Sequence, residues 1–129
     1  MINAWSYLAV ALGGALGAIL RFSVARWMQP FAYAGFPAPT LLVNLLGSFL
    51  LGLVYALGKA NWLQGDYRLF WATGFLGALT TFSTFAVEGI LLVEAGRWKL
   101  ALVYWFISLI CGAALAFLGM YLGSRLAGN

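Results

Sequence analysis

Four long stretches without charged residues dominate the pattern of polar and apolar positions along the 129-residue chain. These stretches cover residues 2–20, 27–58, 69–87 and 100–124. Because a helix needs about 20 apolar residues to cross a hydrocarbon core of roughly 30 Å, each stretch is compatible with one membrane crossing. The pattern therefore predicts four transmembrane helices, near 4–27, 38–58, 68–95 and 99–125. The connections are too short to fold alone, which indicates one all-α transmembrane domain over 1–129.

The composition is that of an integral membrane protein. Hydrophobic residues make up 64% of the chain, whereas there are only seven basic residues, three acidic residues and no histidine. Without histidine, with one cysteine and without a pair of neighbouring carboxylates, the chain lacks the usual acid, base and metal-ligand sets of an active site. We therefore do not expect an enzyme.

The distribution of basic residues bears on how the chain inserts. The net charge of +4 is typical of loops beside a membrane rather than of nucleic-acid binding. One predicted face carries Lys59, Arg68 and Arg125, and the other carries Arg26, Arg97 and Lys99, with Arg21 nearer to the second. Because this split is nearly even, it predicts insertion in both orientations, which would let two copies pair antiparallel. The alternative is that Arg21 or the nascent chain sets a single topology.

A polar stripe runs along the second span. Thr40, Asn44 and Ser48 follow one another at steps of four residues, with Gly47 beside them. Asn44 lies about three residues from the middle of the span, which is roughly 5 Å from the midplane. An amide at this depth is expected to bond either to another helix, a frequent arrangement in membrane proteins, or to a permeating species.

The third span holds the sequence T-T-F-S-T-F at residues 80–85, in which hydroxyl groups are interleaved with phenyl rings. Lipid offers no partner for a hydroxyl group, so these residues need protein or water beside them, and their placement indicates an ion path. Upstream glycines and crowded hydroxyls predict a broken helix near Gly77 to Thr80, with carbonyl groups freed to bind an alkali cation.

Two phenyl rings in this span are candidate anion ligands. Phe82 and Phe85 stand three residues apart and share a helix face, with Thr84 and Glu88 on a neighbouring stripe. An isolated F-x-x-F pattern usually means packing, but ring edges carry positive partial charge and could hold an anion weakly, as conduction requires. We interpret the Thr84 and Glu88 pair as a hydrogen bond that holds a pore hydroxyl.

Polar positions in the other two spans are less specific. Tyr104, Ser108 and either Cys111 or Gly112 form a stripe on the fourth span that could face the phenyl rings, although Tyr104 could also be an aromatic at the membrane interface. On the first span Gly13, Gly17 and Arg21 share a face. The glycines favour helix packing, whereas Arg21 fits either an anion vestibule or a snorkelling arginine.

Three motifs together resemble the Fluc (CrcB) family of fluoride channels. They are T-G-F-L-G-A-L-T-T-F-S-T-F at 73–85, V-N-L-L-G-S at 43–48 and G-A-x-x-R at 17–21, and the resemblance covers all four spans. It implies a passive channel that exports fluoride from the cytoplasm across the plasma membrane of a prokaryote. It further implies an antiparallel homodimer with two pores and a structural sodium ion at the dimer centre.

The resemblance also assigns roles to individual residues. It implies that Asn44 donates to the anion, that Phe82 and Phe85 present ring edges, and that the backbone carbonyls of Gly77 and Thr80 bind sodium. The remaining implied pore residues are Tyr104 and Ser108 of a polar track, the hydroxyl donors Thr40, Ser83 and Thr84, and Arg21 in the vestibule. The chain departs from the family pattern at Gly112, where some relatives carry a third hydroxyl, and at Ala78, where the family has glycine.

Two other functions compete with a channel. A small dual-topology multidrug exporter would need a buried carboxylate to exchange protons for drugs, and Glu88 is the only candidate. That hypothesis leaves Asn44 and the residues at 80–85 without a role. A non-catalytic accessory subunit would conduct nothing when purified.

Overall fold

The computed structural model describes residues 3–31 and 35–128. Within these residues four helical segments are long and apolar enough to cross a membrane. Their bounds are Ala4–Met28 (α1), Ala38–Lys59 (α2), Gly65–Glu94 (the third span) and Trp98–Leu126, the last of which is α6 in chain order. Each end lies within one helical turn of its predicted position. The chain is a multi-pass membrane protein.

The third span consists of consecutive pieces rather than one regular helix. These pieces are α3 (Gly65–Arg68), a π-helical segment (Leu69–Leu76), α4 (Gly77–Leu79) and α5 (Phe82–Glu94). Thr80 and Thr81, between α4 and α5, have extended backbone, with φ/ψ of −80°/155° and −150°/118°. The sequence placed the irregularity over Gly77 to Thr80, whereas Gly77 is helical with φ −62° and ψ −33°. The extended link formed by Thr80 and Thr81 is therefore later in the chain than the glycine content suggests.

Small residues bring α1 directly onto the third span. A Cβ atom added at Gly13 would collide with the carbonyl oxygen of Phe70, and one added at Gly17 would collide with that of Phe75. One turn further along the same face, Arg21 Nε donates a hydrogen bond of 3.0 Å to the carbonyl oxygen of Ala78. The glycines therefore pack helices, as the sequence favoured.

Glycines also allow close approach between α2 and α6. A side chain at Gly52 would collide with the carbonyl of Ala116, and one at Gly119 would collide with the carbonyl of Phe49. A turn beyond Gly119, a Cβ atom at Gly123 would lie 2.7 Å from the Cβ of Ala56. This close packing holds the polar stripe of α2 in a fixed position relative to α6.

Two apolar clusters flank the extended link. One contains Val43, Leu76 and Leu79, and the other contains Phe85, Leu92, Ala101 and Tyr104. Since both clusters are buried, the backbone on either side of Thr80 and Thr81 is anchored by packing. The polar groups between the clusters are thereby held in place.

Candidate functional site

Asn44 binds the extended link through both ends of its side-chain amide. Its Oδ1 accepts a hydrogen bond of 2.8 Å from the Thr81 N–H, and its Nδ2 donates one of 3.0 Å to the Thr81 carbonyl. The amide oxygen therefore replaces the helical acceptor that the Thr81 N–H lacks. A primary amide has two N–H groups, so one donor of Asn44 remains for another acceptor.

The hydroxyl groups of the link organise the helices before and after it. Thr80 Oγ1 donates to the carbonyl of Leu76 at 2.9 Å, which closes the end of α4. Thr81 is the N-cap of α5, since its Oγ1 accepts from the Thr84 N–H at 3.3 Å. The same Oγ1 donates to the hydroxyl of Thr84 at 3.0 Å. These bonds explain why the chain is extended at the two threonines and resumes a helix at Phe82.

These capping bonds also release two backbone carbonyls. In an unbroken helix the N–H of Thr81 would bond to the carbonyl of Gly77, and the N–H of Thr84 would bond to that of Thr80. Here the first N–H is donated to Asn44 and the second to the side chain of Thr81. The carbonyls of Gly77 and Thr80 therefore lose their usual helical donors.

Four elements surround a cavity of about 250 Å³, which we call the central cavity. It is lined by Asn44, Gly47, Ser48, Leu51, Thr80, Thr81, Phe82, Phe85, Ser108 and Leu109. The hydroxyl oxygen of Ser108 is buried and has no hydrogen-bond partner among the described residues. Because a buried hydroxyl group without a partner is costly, Ser108 is suited to bind a species that enters the cavity.

Phe82 and Phe85 both line the central cavity but differ in burial. Their ring centroids are 5.8 Å apart with an interplanar angle of 48°. Phe85 is only 8% exposed and contacts the ring of Tyr104 at a centroid distance of 5.2 Å, whereas Phe82 is 78% exposed. The Phe85 ring is thus packed within a single copy of the chain, whereas the Phe82 ring is exposed on its outer surface.

Glu88 accepts hydrogen bonds from two neighbouring helices. Thr40 on α2 donates to Oε1 and Tyr104 on α6 donates to Oε2, both at 2.9 Å. The predicted bond between Thr84 and Glu88 is wrong, because the two carboxylate oxygens accept from Thr40 and Tyr104 and the Thr84 hydroxyl accepts from Thr81. Tyr104 is completely buried, so its interpretation as an interface aromatic is also wrong.

A second cavity, which we call the outer cavity, has a volume of about 290 Å³. Its lining residues are Gly35, Pro37, Glu88, Leu91, Leu92, Ala95 and Arg97. Phe85 lines the central cavity, Glu88 lines the outer cavity, and Tyr104 contacts both residues. The three side chains therefore lie between the two cavities.

Other residues predicted from sequence lie outside both cavity linings. Ser83 is exposed, Thr84 bonds to Thr81, and Arg21 bonds to the carbonyl of Ala78. Near Gly112, where the third hydroxyl of the fourth span is missing, a Cβ atom would lie 3.8 Å from the hydroxyl oxygen of Ser48. The Ser48 hydroxyl on α2 therefore lies close to position 112.

The chain is similar to known proteins along almost all of its length. The model of a family described as CrcB-like protein, Camphor Resistance (CrcB), matches residues 8–120. A fluoride-specific ion channel FluC from one strain of Thermus thermophilus is 51% identical over 95% of this chain and 96% of its own length. The FluC protein of a second Thermus thermophilus strain is 50% identical over 95% and 98%. The FluC protein of Shewanella woodyi is 41% identical over 92% and 93%.

Proposed function

The chain belongs to the CrcB-like family, and on that premise we propose that it is a fluoride-selective passive channel that exports fluoride from the cytoplasm. The relatives are named as ion channels, so the chain is not an enzyme, and the exporter hypothesis gains no support from them. Export of a toxic anion places the protein in the plasma membrane of a prokaryotic cell, surrounded by lipid.

One observation carries the proposal: the convergence of Asn44, Ser108, Phe82 and Phe85 on the central cavity. The spare N–H of Asn44 and the unpartnered hydroxyl of Ser108 are hydrogen-bond donors, and the ring edges add weak positive charge. Fluoride is the smallest halide and the strongest hydrogen-bond acceptor among them. Neutral donors favour its entry without the full charge that would trap it.

The path continues from the central cavity toward the outer cavity. An anion that leaves Phe85 would next meet the hydroxyl groups of Tyr104 and Thr40, which are donated to Glu88 in the present arrangement. Both hydroxyls can donate to a passing anion only if they leave the carboxylate. Glu88 therefore belongs to the pore in this proposal, where it holds the hydroxyl groups of Thr40 and Tyr104 rather than that of Thr84, which the sequence predicted.

The working unit in this proposal is an antiparallel homodimer with two pores. The 78% exposure of Phe82 supports a partner, because one wall of the central cavity is left open in a single copy. Gly77 is also exposed, and a side chain there would meet only the carbonyl oxygen of Ala72, at 3.6 Å. The near-even loop charges favour an inverted orientation for that partner.

A sodium ion at the centre of the dimer fits the donor set. The carbonyls of Gly77 and Thr80 have lost their helical N–H partners, and two copies would offer four such oxygens. Backbone carbonyls at a helix break are ligands that alkali cations accept in membrane proteins. When bound, the ion would supply a fixed positive charge near the anion path.

Reconstitution into liposomes tests the proposed function. Purified protein should discharge a fluoride gradient rapidly and pass chloride far more slowly, as fluoride- and chloride-selective electrodes would record. Absence of fluoride efflux would indicate an accessory subunit. Proton flux stimulated by cationic drugs and lost in Glu88→Gln would indicate an exporter.

The sodium site has its own test. Replacing sodium by N-methylglucamine throughout purification should lower the fraction of dimer in size-exclusion chromatography or the fluoride efflux, because the carbonyl oxygens would lose the cation that they bind. Sodium added back should restore both quantities, and potassium of equal ionic strength is the matched control. Unchanged dimer and efflux without sodium would contradict the site.

A further inference from the structure

We propose that Arg97 collects anions at the mouth of the outer cavity and so sets the rate at which fluoride enters or leaves the pore. The inference rests on the proposed function and adds a residue that the three channel motifs do not contain. Among the described residues, Arg97 supplies the only basic side chain in the lining of the outer cavity, and Glu88 belongs to the same lining. It therefore lies where an ion would pass between water and the hydroxyl groups of Thr40 and Tyr104.

The backbone of Arg97 is fixed by the turn between α5 and α6. Gly96 has a φ of 75°, and its N–H donates to the carbonyl of Val93 at 2.9 Å. The N–H of Arg97 donates to the carbonyl of Leu92 at 2.8 Å. This pair of bonds is a Schellman motif, which satisfies carbonyl groups at the end of α5. The turn thus removes acceptors that would repel an anion and holds Arg97 in one position.

The guanidinium group lies beside Gly35, which also lines the outer cavity. A Cβ atom added at Gly35 would be 3.1 Å from Arg97 Nη1, so the arginine reaches across to the segment that precedes α2. Pro37, the N-cap of α2, and Arg97, the N-cap of α6, both line the cavity. Helix N-termini carry partial positive charge, and they add to the charge of the guanidinium group at this mouth.

Lys99 offers a matched control for the charge of Arg97. It lies two residues later at the same end of α6, is exposed, and is absent from the cavity lining. Its Nζ lies 5.5 Å from the centroid of the Trp98 ring. Neutralising either residue removes one positive charge from the same face of the protein. Only neutralisation of Arg97 removes a charge from the lining of the outer cavity.

The test compares fluoride efflux from liposomes for Arg97→Gln and Lys99→Gln at two ionic strengths, set with an impermeant salt. At about 10 mM salt we expect Arg97→Gln to conduct roughly two- to fourfold more slowly than Lys99→Gln, because Arg97 is closer to the ion path and its charge is nearly unscreened when the Debye length is about 30 Å. At about 1 M salt that length falls to roughly 3 Å, and the difference should disappear. Arg97→Lys should keep most of the flux.

Other results would overturn the inference in distinct ways. Equal efflux from the two Gln variants at low salt would exclude a special role for Arg97, and a deficit that persists at high salt would indicate a structural role. If Arg97→Gln fails to elute as folded protein, Arg97→Glu against Lys99→Glu applies the same criteria with a larger expected gap. Wild-type liposomes that release no fluoride would instead refute the proposed function.

Discussion

Asn44→Asp should reduce fluoride efflux by about 1,000-fold. A carboxylate in place of the amide puts a full negative charge on the wall of the central cavity. Two unit charges 4 Å apart at an effective dielectric constant of 20 repel by about 4 kcal/mol, which corresponds to this factor. The substitution also replaces the Nδ2 donor with an oxygen that faces the Thr81 carbonyl, so the extended link loses one of its two bonds to α2. Efflux from liposomes measures the combined effect.

The matched control is Asn61→Asp, which makes the same chemical change outside the membrane-spanning segments. Asn61 lies in the turn after α2 with a φ of 64°, a conformation that aspartate tolerates. This variant should conduct like the wild type. Size-exclusion chromatography separates loss of the pore from loss of the fold, since a folded Asn44→Asp dimer without flux shows that the site, not the fold, is lost. Full flux from that dimer would remove Asn44 from the anion path.

The extent of the helices could be predicted from the sequence, because it depends on local composition. Four charge-free stretches of sufficient length indicate four crossings, and the helix bounds lie within one turn of the predicted spans. The partner of Asn44 could not be predicted in the same way. Thr81 is 37 residues away, so their pairing depends on how α2 and the third span pack. The depth of Asn44 indicated that it needed a partner but not which one.

Glu88 shows why residue spacing within a helix is a weak guide to hydrogen bonds. Thr84 is four residues before Glu88, a separation that permits contact. However, the hydroxyl groups of Thr81 and Thr84 bond to each other, and the Thr84 N–H donates to Thr81 Oγ1. The carboxylate instead receives hydroxyl groups from α2 and α6. A carboxylate within a predicted span already signalled a need for donors on other helices. Thr40 and Tyr104 were the available candidates.

The extended link overlaps the predicted break at Thr80 but not at Gly77. Because glycine lowers helix propensity, the prediction began the break at Gly77. Propensity is a weak prior in a packed helix. The backbone departs from the helix where side chains offer alternative hydrogen bonds, and at Thr81 both Asn44 and its own hydroxyl group do so. Sequence reasoning identified the right segment and overestimated the contribution of glycine.

Phe85→Ile should slow fluoride efflux by about tenfold or more and leave the dimer intact. Phe85 is nearly buried, and its ring lies between the central cavity and Tyr104. Isoleucine fills much of the same space but has no positive ring edge. If the edge contributes about 1.5 kcal/mol, the upper range for aromatic pairs, its loss alone accounts for this factor.

The control for Phe85→Ile is the same substitution at Phe22, an exposed position on α1 that lines neither cavity. Phe22→Ile should conduct normally, because no cavity depends on that ring. Liposome efflux and dimer elution should be recorded for both variants. Full efflux from a folded Phe85→Ile dimer would mean that the ring only packs against Tyr104. The anion would then be held by the amide and hydroxyl donors alone, and selectivity would depend on Asn44 and Ser108.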